Sequence, residues 1–418
     1  MSSETIAQAK PFERAQQAEA RLPHRQTRGL KEILDIEEFQ ARARRILPRA
    51  IYGYVANGAE DEVTLATNRA AFRDYRLVPR VLQNVQSRSQ AVSLFGQTYA
   101  APFGIAPMGG AAAVTFDADL MMARAAAKSG IPFVLSGNSI TPMEEVTQVH
   151  PGAWFAAYQS PNTEAIAGMV RRAAAAGFTA FLLTADVPVG SNRENDARTG
   201  FSQPIRLNRK IVLDGLQHPR WLAGTAARTL LKRGIPHIDD LEYSGGPSLF
   251  SRRVRKIASH TSLSWEHVRL IRRLWTGPFI IKGILSRADA RMARECGADG
   301  IVVSNHGGRQ LDSAATPLQI LPDIMTEARG LAVMIDSGFR RGTDVLTALA
   351  LGAQFVLIGR PFLFACCCAA EAGVLRAIDL LAQEVDRDMA LLGLHALDEV
   401  GPDMLQSVHG SAATGVAT

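Results

Sequence analysis

The chain has 418 residues, 47% of them hydrophobic, which is enough for two domains or for one large barrel with additions around an extensive core. Its net charge of +6 and pI near 9.3 come from dispersed basic residues; with only 6% aromatic residues and no nucleic-acid module motif, the charge suits anionic small molecules or a membrane surface and not nucleic acid. The four cysteines, Cys296 and the consecutive Cys366, Cys367 and Cys368, form neither a disulfide framework nor a zinc site, so a reducing compartment is expected, most simply the cytoplasm.

Residues 1–30 are too polar for a signal peptide and are expected to be a disordered N-terminal extension. Asp35 with Glu38 marks a helix start, and Ile36, Phe39, Ala43, Ile46 and Leu47 form its apolar stripe. A second helical piece follows Pro48, carries Tyr52 and Tyr54, and ends near Asn57 and Gly58. Residues 31–92 therefore predict a helical cap running into an extended linker. The uncharged stretch 89–116 is interrupted by Pro102, Pro107 and several glycines, and reads as no transmembrane helix.

From residue 93 to 400 one unit repeats: a short apolar run, a polar or glycine-rich end, then a capped helical stretch. The apolar runs fall at 103–107, 132–136, 153–158, 180–186, 279–283, 300–306, 332–338 and 355–359, eight in all. Asn162, Ser264 and Ser286 open intervening helices that close at Gly177, Gly277 and Gly297. Eight alternations with continuous apolar strands predict parallel pairing buried on both faces, hence an α/β (β/α)8 TIM barrel. A doubly wound sheet is the alternative, but no G-x-G-x-x-G turn follows the first strand.

The rhythm breaks once, after the fourth run, where an insertion of about residues 199–262 precedes the next helix. Following a strand, it must emerge on the C-terminal face, where barrel enzymes keep their chemistry. Its Arg206, Arg209, Lys210, Arg220, Trp221, Arg228, Lys232 and Arg233 suit either a lid or a basic, partly apolar patch docking on an anionic membrane. Residues 401–418 are expected to form a C-terminal tail.

In a barrel all strand ends meet at one mouth. Here they would bring together Asp186 with Arg193 beyond it, Lys282 and Gly283, His306, Asp336 to Gly338, and Gly359 with Arg360. The sixth run continues as SNHGGRQLD: His306 is the side chain suited to accept a proton near neutral pH, and Arg309 is a planar fork for a carboxylate or phosphate. Gly338 to Gly342 and Gly359 to Pro361 predict a phosphate corner built from glycine N–H groups, a helix N-terminus and an arginine.

These stretches, with YGYVANGAED at 52–61, IAPM at 105–108, LTADVP at 183–188, IKG at 281–283 and DSGFRRGTD at 336–344, resemble the FMN-dependent L-2-hydroxy acid oxidase and dehydrogenase family. That family includes glycolate oxidase and the lactate and mandelate dehydrogenases, and the likeness runs from about residue 31 to 400. The resemblance implies FMN as cofactor and oxidation of an L-2-hydroxy acid to the 2-oxo acid. His306 would be the catalytic base, oriented and made more basic by Asp186; Arg193 and Arg309 would clamp the substrate carboxylate, with Tyr54 and Tyr158 hydrogen-bonding the substrate. Lys282 would stabilise the reduced flavin; Pro107, Met108 and Gly109 would face its N5 edge, Ser136 and Thr184 its ring, and Asp336, Gly338, Arg340, Gly359 and Arg360 the rest of the cofactor and its phosphate. A quinone or other carrier as electron acceptor and a homotetramer are expected from the resemblance, and the cysteine usage and the basic insertion add a cytoplasmic location with peripheral membrane contact.

Four positions depart from the pattern. Ala156 stands in place of a flavin-contacting glutamine, with Gln159 as a nearby substitute, and Ser337 replaces a phosphate-loop glycine. Asn138 takes the place of a bulky pocket residue, and Gly109 favours a dehydrogenase over an oxygen-using oxidase. Two competing readings use the same His/Arg pair or none of it: a non-redox barrel isomerase or lyase, and a catalytically silent binding barrel.

Overall fold

A computed structural model describes residues 29–202, 209–238, 246–251 and 261–408. Eight short strands, β1 (Phe103–Ile105), β2 (Val134–Ser136), β3 (Trp154–Ala157), β4 (Ala180–Thr184), β5 (Phe279–Ile284), β6 (Gly300–Val303), β7 (Ala332–Ile335) and β8 (Phe355–Ile358), form one parallel sheet. Their spatial order is 1-8-7-6-5-4-3-2, and a parallel bridge from Ile105 to Phe133 joins the two ends. The sheet is closed, which excludes the doubly wound alternative.

Apart from Ser136, Thr184 and Lys282 toward their C-terminal ends, the strands are apolar on both faces because both are covered. Phe155, Phe181, Ile281 and Ile301 point outward into a layer of helices, whereas Trp154, Leu182, Ile280, Val302 and Met334 fill the interior. An antiparallel hairpin, Val92–Leu94 with Gln97–Tyr99, plugs one end: Phe95 and Tyr99 pack on Trp154 with ring centroids 5.9 and 6.0 Å apart. Trp154 begins β3, so the plugged end is the N-terminal one and only the opposite mouth can admit a ligand.

Three helices, α1 (Glu38–Ile46), α2 (Arg49–Ala56) and α3 (Val63–Ala70), make up the cap. Asp35 Oδ1 accepts the Glu37 and Glu38 N–H groups at 2.8 and 3.1 Å, starting α1 as its sequence predicts. Asp312, the last residue of the SNHGGRQLD stretch, accepts the first amides of α3 from Thr64 and Val63 at 2.8 and 3.2 Å. The buried Asn68 and Asn305 side chains exchange hydrogen bonds of 2.9 and 2.6 Å. Cap and mouth are thus one structure.

The expected C-terminal tail begins with a 3-10 turn, Pro402–Met404, and continues as a strand, Leu405–Ser407, that pairs antiparallel with Tyr75–Leu77. One helix, Arg360–Leu392, is long and apolar enough to cross a membrane; 78% of its most apolar window is buried, and its backbone breaks at Ala369 and Ala370. In the insertion the described residues form helices Arg209–Leu216 and Arg228–Arg233 joined through Pro219–Trp221 and a π-helical turn. Arg206, residues 1–28 and residues 409–418 lie outside the described residues.

Candidate active site at the C-terminal mouth

His306 follows β6 with a left-handed backbone (φ 58°), which turns its ring back over the mouth. Its Nδ1 lies 3.0 Å from Asp186 Oδ1 beyond β4. An ionised carboxylate only accepts hydrogen bonds, so Nδ1 carries the proton and donates, leaving Nε2 as an acceptor. Gly283 (φ 105°) makes the approach possible, because a Cβ there would fall 2.5 Å from Asp186 Cβ.

Burial pulls the His306 ring below its ordinary range, and the neighbouring Asp186 carboxylate, which works the other way, does not fully offset it. The expected increase in basicity is therefore outweighed by desolvation, and the ring is neutral at neutral pH. For Asp186 burial works upward, but the charges of His306 and Lys282 bring the carboxyl below its usual range. Burial would likewise lower Lys282, yet Asp336 and Asp186 hold its ammonium above the ordinary lysine range. Lys282 Nζ reaches Asp336 Oδ2 at 3.1 Å and donates to Ser304 Oγ at 2.8 Å.

Four arginines face the same cavity. Arg360 donates to the Val55 and Gly307 carbonyls at 2.9 Å each, and Arg309 donates to the Asn57 carbonyl at 2.9 Å while stacking on the Tyr54 ring at 5.1 Å. Arg193 donates to Ser191 Oγ, to the Arg309 carbonyl and to Gln310 Oε1 at 2.9, 3.1 and 3.0 Å. Among the described residues none of these three pairs with a carboxylate within 4.0 Å. Burial and the mutual repulsion of the guanidiniums push Arg360 well below its normal value and Arg193 down to about 10. So much buried positive charge, with no carboxylate in direct contact with Arg193, Arg309 or Arg360 among the described residues, calls for anionic ligands.

The cavity holds about 730 Å³ and is lined by His306, Lys282, Tyr54, Tyr158, Arg193 and Arg309. Pro107, Met108, Gly109, Asp336, Gly338, Arg340, Gly359 and Arg360 also line it. This volume suits a flavin mononucleotide together with a small acid. A Cβ at Gly338 (φ 89°) would collide with the Asn68 carbonyl, so the phosphate corner requires glycine there.

Some expected partners are not among the residues that line the cavity. Ser136 and Thr184 lie beneath the lining: Ser136 Oγ accepts the Asn138 N–H at 3.2 Å, and Thr184 is 4% exposed within β4. Asp186 is not a lining residue either; it hydrogen-bonds to His306 and its charge also acts on Lys282. Gln159 is buried and is not one of the lining residues, and its Nε2 has no hydrogen-bond partner among the described residues. The start of helix Gly342–Ala350 is already capped, since Asp344 accepts the Arg340 and Arg341 amides at 2.8 and 2.9 Å and Glu384 the Gly342 amide at 2.8 Å. An incoming phosphate would meet Gly338, Gly359, Arg340 and Arg360 instead.

Other lining residues escaped the sequence reading. Gln310 and Asp196 had a signal in their position beside Arg309 and three residues after Arg193. Ile238 and Leu249 had none, because they meet over Tyr158 and Ile140 only through a bridge between His237 and Ser248.

The chain matches the FMN-dependent dehydrogenase family over residues 43–407. It is 37% identical to (S)-mandelate dehydrogenase of Pseudomonas putida, covering 90% of this chain and 94% of that protein. With a putative L-lactate dehydrogenase of Mycobacterium tuberculosis it shares 36% identity, covering 94% and 93%. Among solved structures, that of the monotopic membrane protein (S)-mandelate dehydrogenase superposes with a TM-score of 0.82 at 36% identity, over 90% of this chain and 99% of the other.

Proposed function

Because the chain belongs to the FMN-dependent dehydrogenase family, we propose that it oxidises a lactate- or mandelate-like L-2-hydroxy acid to the 2-oxo acid and delivers the electrons to a quinone or similar carrier. Bound FMN supplies the two-electron acceptor. Arg193 and Arg309 fix the substrate carboxylate, and Tyr54 and Tyr158 line the same cavity. Tyr54 is itself held by stacking on Phe201 at 4.3 Å and by donating to the Gly109 carbonyl at 2.9 Å.

His306 Nε2 takes the substrate proton, and Asp186 balances the charge that then develops on the ring. Removal of the Cα proton and of the hydroxyl proton both require this base. Lys282 presents a permanent positive charge to the cofactor wall, and Gly338, Gly359, Arg340 and Arg360 hold the phosphate. The His306–Asp186 pair beside four arginines is the observation that carries this reading; a silent binding barrel has no use for it.

We further propose docking on an anionic membrane through the insertion, on the cytoplasmic side, and assembly as a homotetramer. Exposed Val212, Leu213, Leu216, Leu230, Leu231 and Ile235 support the membrane contact. Anaerobic mixing of the FMN-loaded protein with the L and D forms of lactate and mandelate tests the catalytic proposal. Bleaching of the flavin band by an L acid, with colour restored faster by a quinone than by oxygen, is expected. Absence of bleaching by every acid overturns it.

A further inference from the structure

Two serines of the mouth join the base to the lysine. Ser304 Oγ accepts from Lys282 Nζ at 2.8 Å and from the His306 backbone N–H at 3.0 Å. Ser337 Oγ accepts the Gly307 N–H at 3.1 Å and donates to Asp336 Oδ1 at 2.8 Å, while Asp336 Oδ2 stands 3.1 Å from Lys282 Nζ. These five contacts close a ring through Lys282, Ser304, His306–Gly307, Ser337 and Asp336.

Both His306 (φ 58°) and Ser337 (φ 80°) occupy the left-handed region that disfavours side chains. Holding a non-glycine residue there is strained, and a glycine at 337 would avoid the strain. The hydroxyl must therefore supply something that glycine lacks. It fixes the amide next to the base and occupies one oxygen of the carboxylate that neutralises Lys282.

We propose that Ser337, with Ser304, is a positioning residue that couples the backbone of the base to the charge of Lys282. The inference rests on the assignment of FMN to this cavity. Without the Ser337 hydroxyl, Asp336 turns fully to Lys282 and screens its charge, and the turn carrying His306 loses its tie to the neighbouring strand. Arg193 and Arg309 are not part of the ring, so substrate binding is spared.

The test compares Ser337→Ala, which keeps the left-handed backbone but loses the hydroxyl, with Ser337→Gly, which loses the hydroxyl and relieves the backbone. In both, the rate of substrate-driven flavin reduction is expected to fall at least about tenfold, the loss of roughly one hydrogen bond's worth of orientation, with KM within about twofold of the parent. The FMN midpoint potential is expected to shift negative in both, while Ser337→Gly melts at or above the parent temperature. Unchanged reduction rate and potential in the glycine variant overturn the proposal. So does a rate loss that tracks a lower melting temperature with the potential unmoved, since that marks a merely structural role. If the parent protein takes up no FMN, the functional assignment itself fails, which is a separate result.

Discussion

At His306 burial and the Asp186 carboxylate act in opposite directions, and burial wins. The proton-accepting form of the ring then predominates above a pKa that lies below the usual value of 6.5, so kcat/KM should rise with pH and level off before pH 7. An acid limb centred above 7 in a pH–rate profile would contradict this. In Asp186→Asn the limb should move to still lower pH, while kcat falls by about 10²–10⁴-fold because an amide, unlike a carboxylate, can also donate to Nδ1 and no longer fixes the tautomer. Asp119 offers a test of stability. Burial, partly opposed by hydrogen bonds from Ser139 and Thr141, pushes its carboxyl up to about 6 from 3.8. A raised carboxyl favours folding in full below the unfolded value, and that contribution is lost as pH rises through the folded one. The two-unit difference corresponds to about 3 kcal/mol, so Asp119→Asn should gain in melting temperature over the parent between about pH 4 and pH 8. A pH-independent difference in thermal melts would refute it.

The insertion shows how an element can be basic in sequence and apolar at its surface. Arg233 pairs with Asp117 at 3.0 Å and with Glu145, Arg228 sits 4.3 Å over the Phe116 ring, Arg220 donates to the Cys368 carbonyl, and Trp221 donates to the Ala113 carbonyl at 2.9 Å. These side chains clamp the segment to the barrel and leave its leucines facing outward. Replacing Leu213, Leu216, Leu230 and Leu231 by serine should lower partition onto anionic vesicles at least about tenfold in a sedimentation assay. Flavin reduction should remain within about twofold, as none of the four lines the cavity. Vesicle binding equal to that of the parent would remove the insertion from membrane contact. The eight strands were legible because continuous apolar runs between glycine and proline breaks are a local signal. The orientation of the insertion was not, since its partners lie about a hundred residues away in the chain.

Over the whole molecule, cap and barrel share the site. The Val55 and Asn57 carbonyls at the end of α2 hold Arg360 and Arg309, and Asn68 of α3 pairs with Asn305 across 237 residues of sequence. His306, Arg309 and Lys282 could be read from strand ends; Asn68, Ser304 and Ser337 could not, because their roles exist only once cap and barrel have met. Asn68→Ala should remove both cap-to-barrel hydrogen bonds to Asn305, which keeps only the Ala315 carbonyl and the Gly308 N–H, costing about 1–3 kcal/mol in denaturant unfolding, and weaken FMN binding together with it. Stability loss with FMN affinity unchanged would separate cap from site. The central claim is that the imidazole of His306 and a bound FMN work at one mouth, and His306→Gln tests it most directly. Mixed anaerobically with an L-2-hydroxy acid that bleaches the parent, the variant should keep its yellow cofactor and reduce it about 10²–10⁴-fold more slowly. Bleaching at the parent rate would contradict the account.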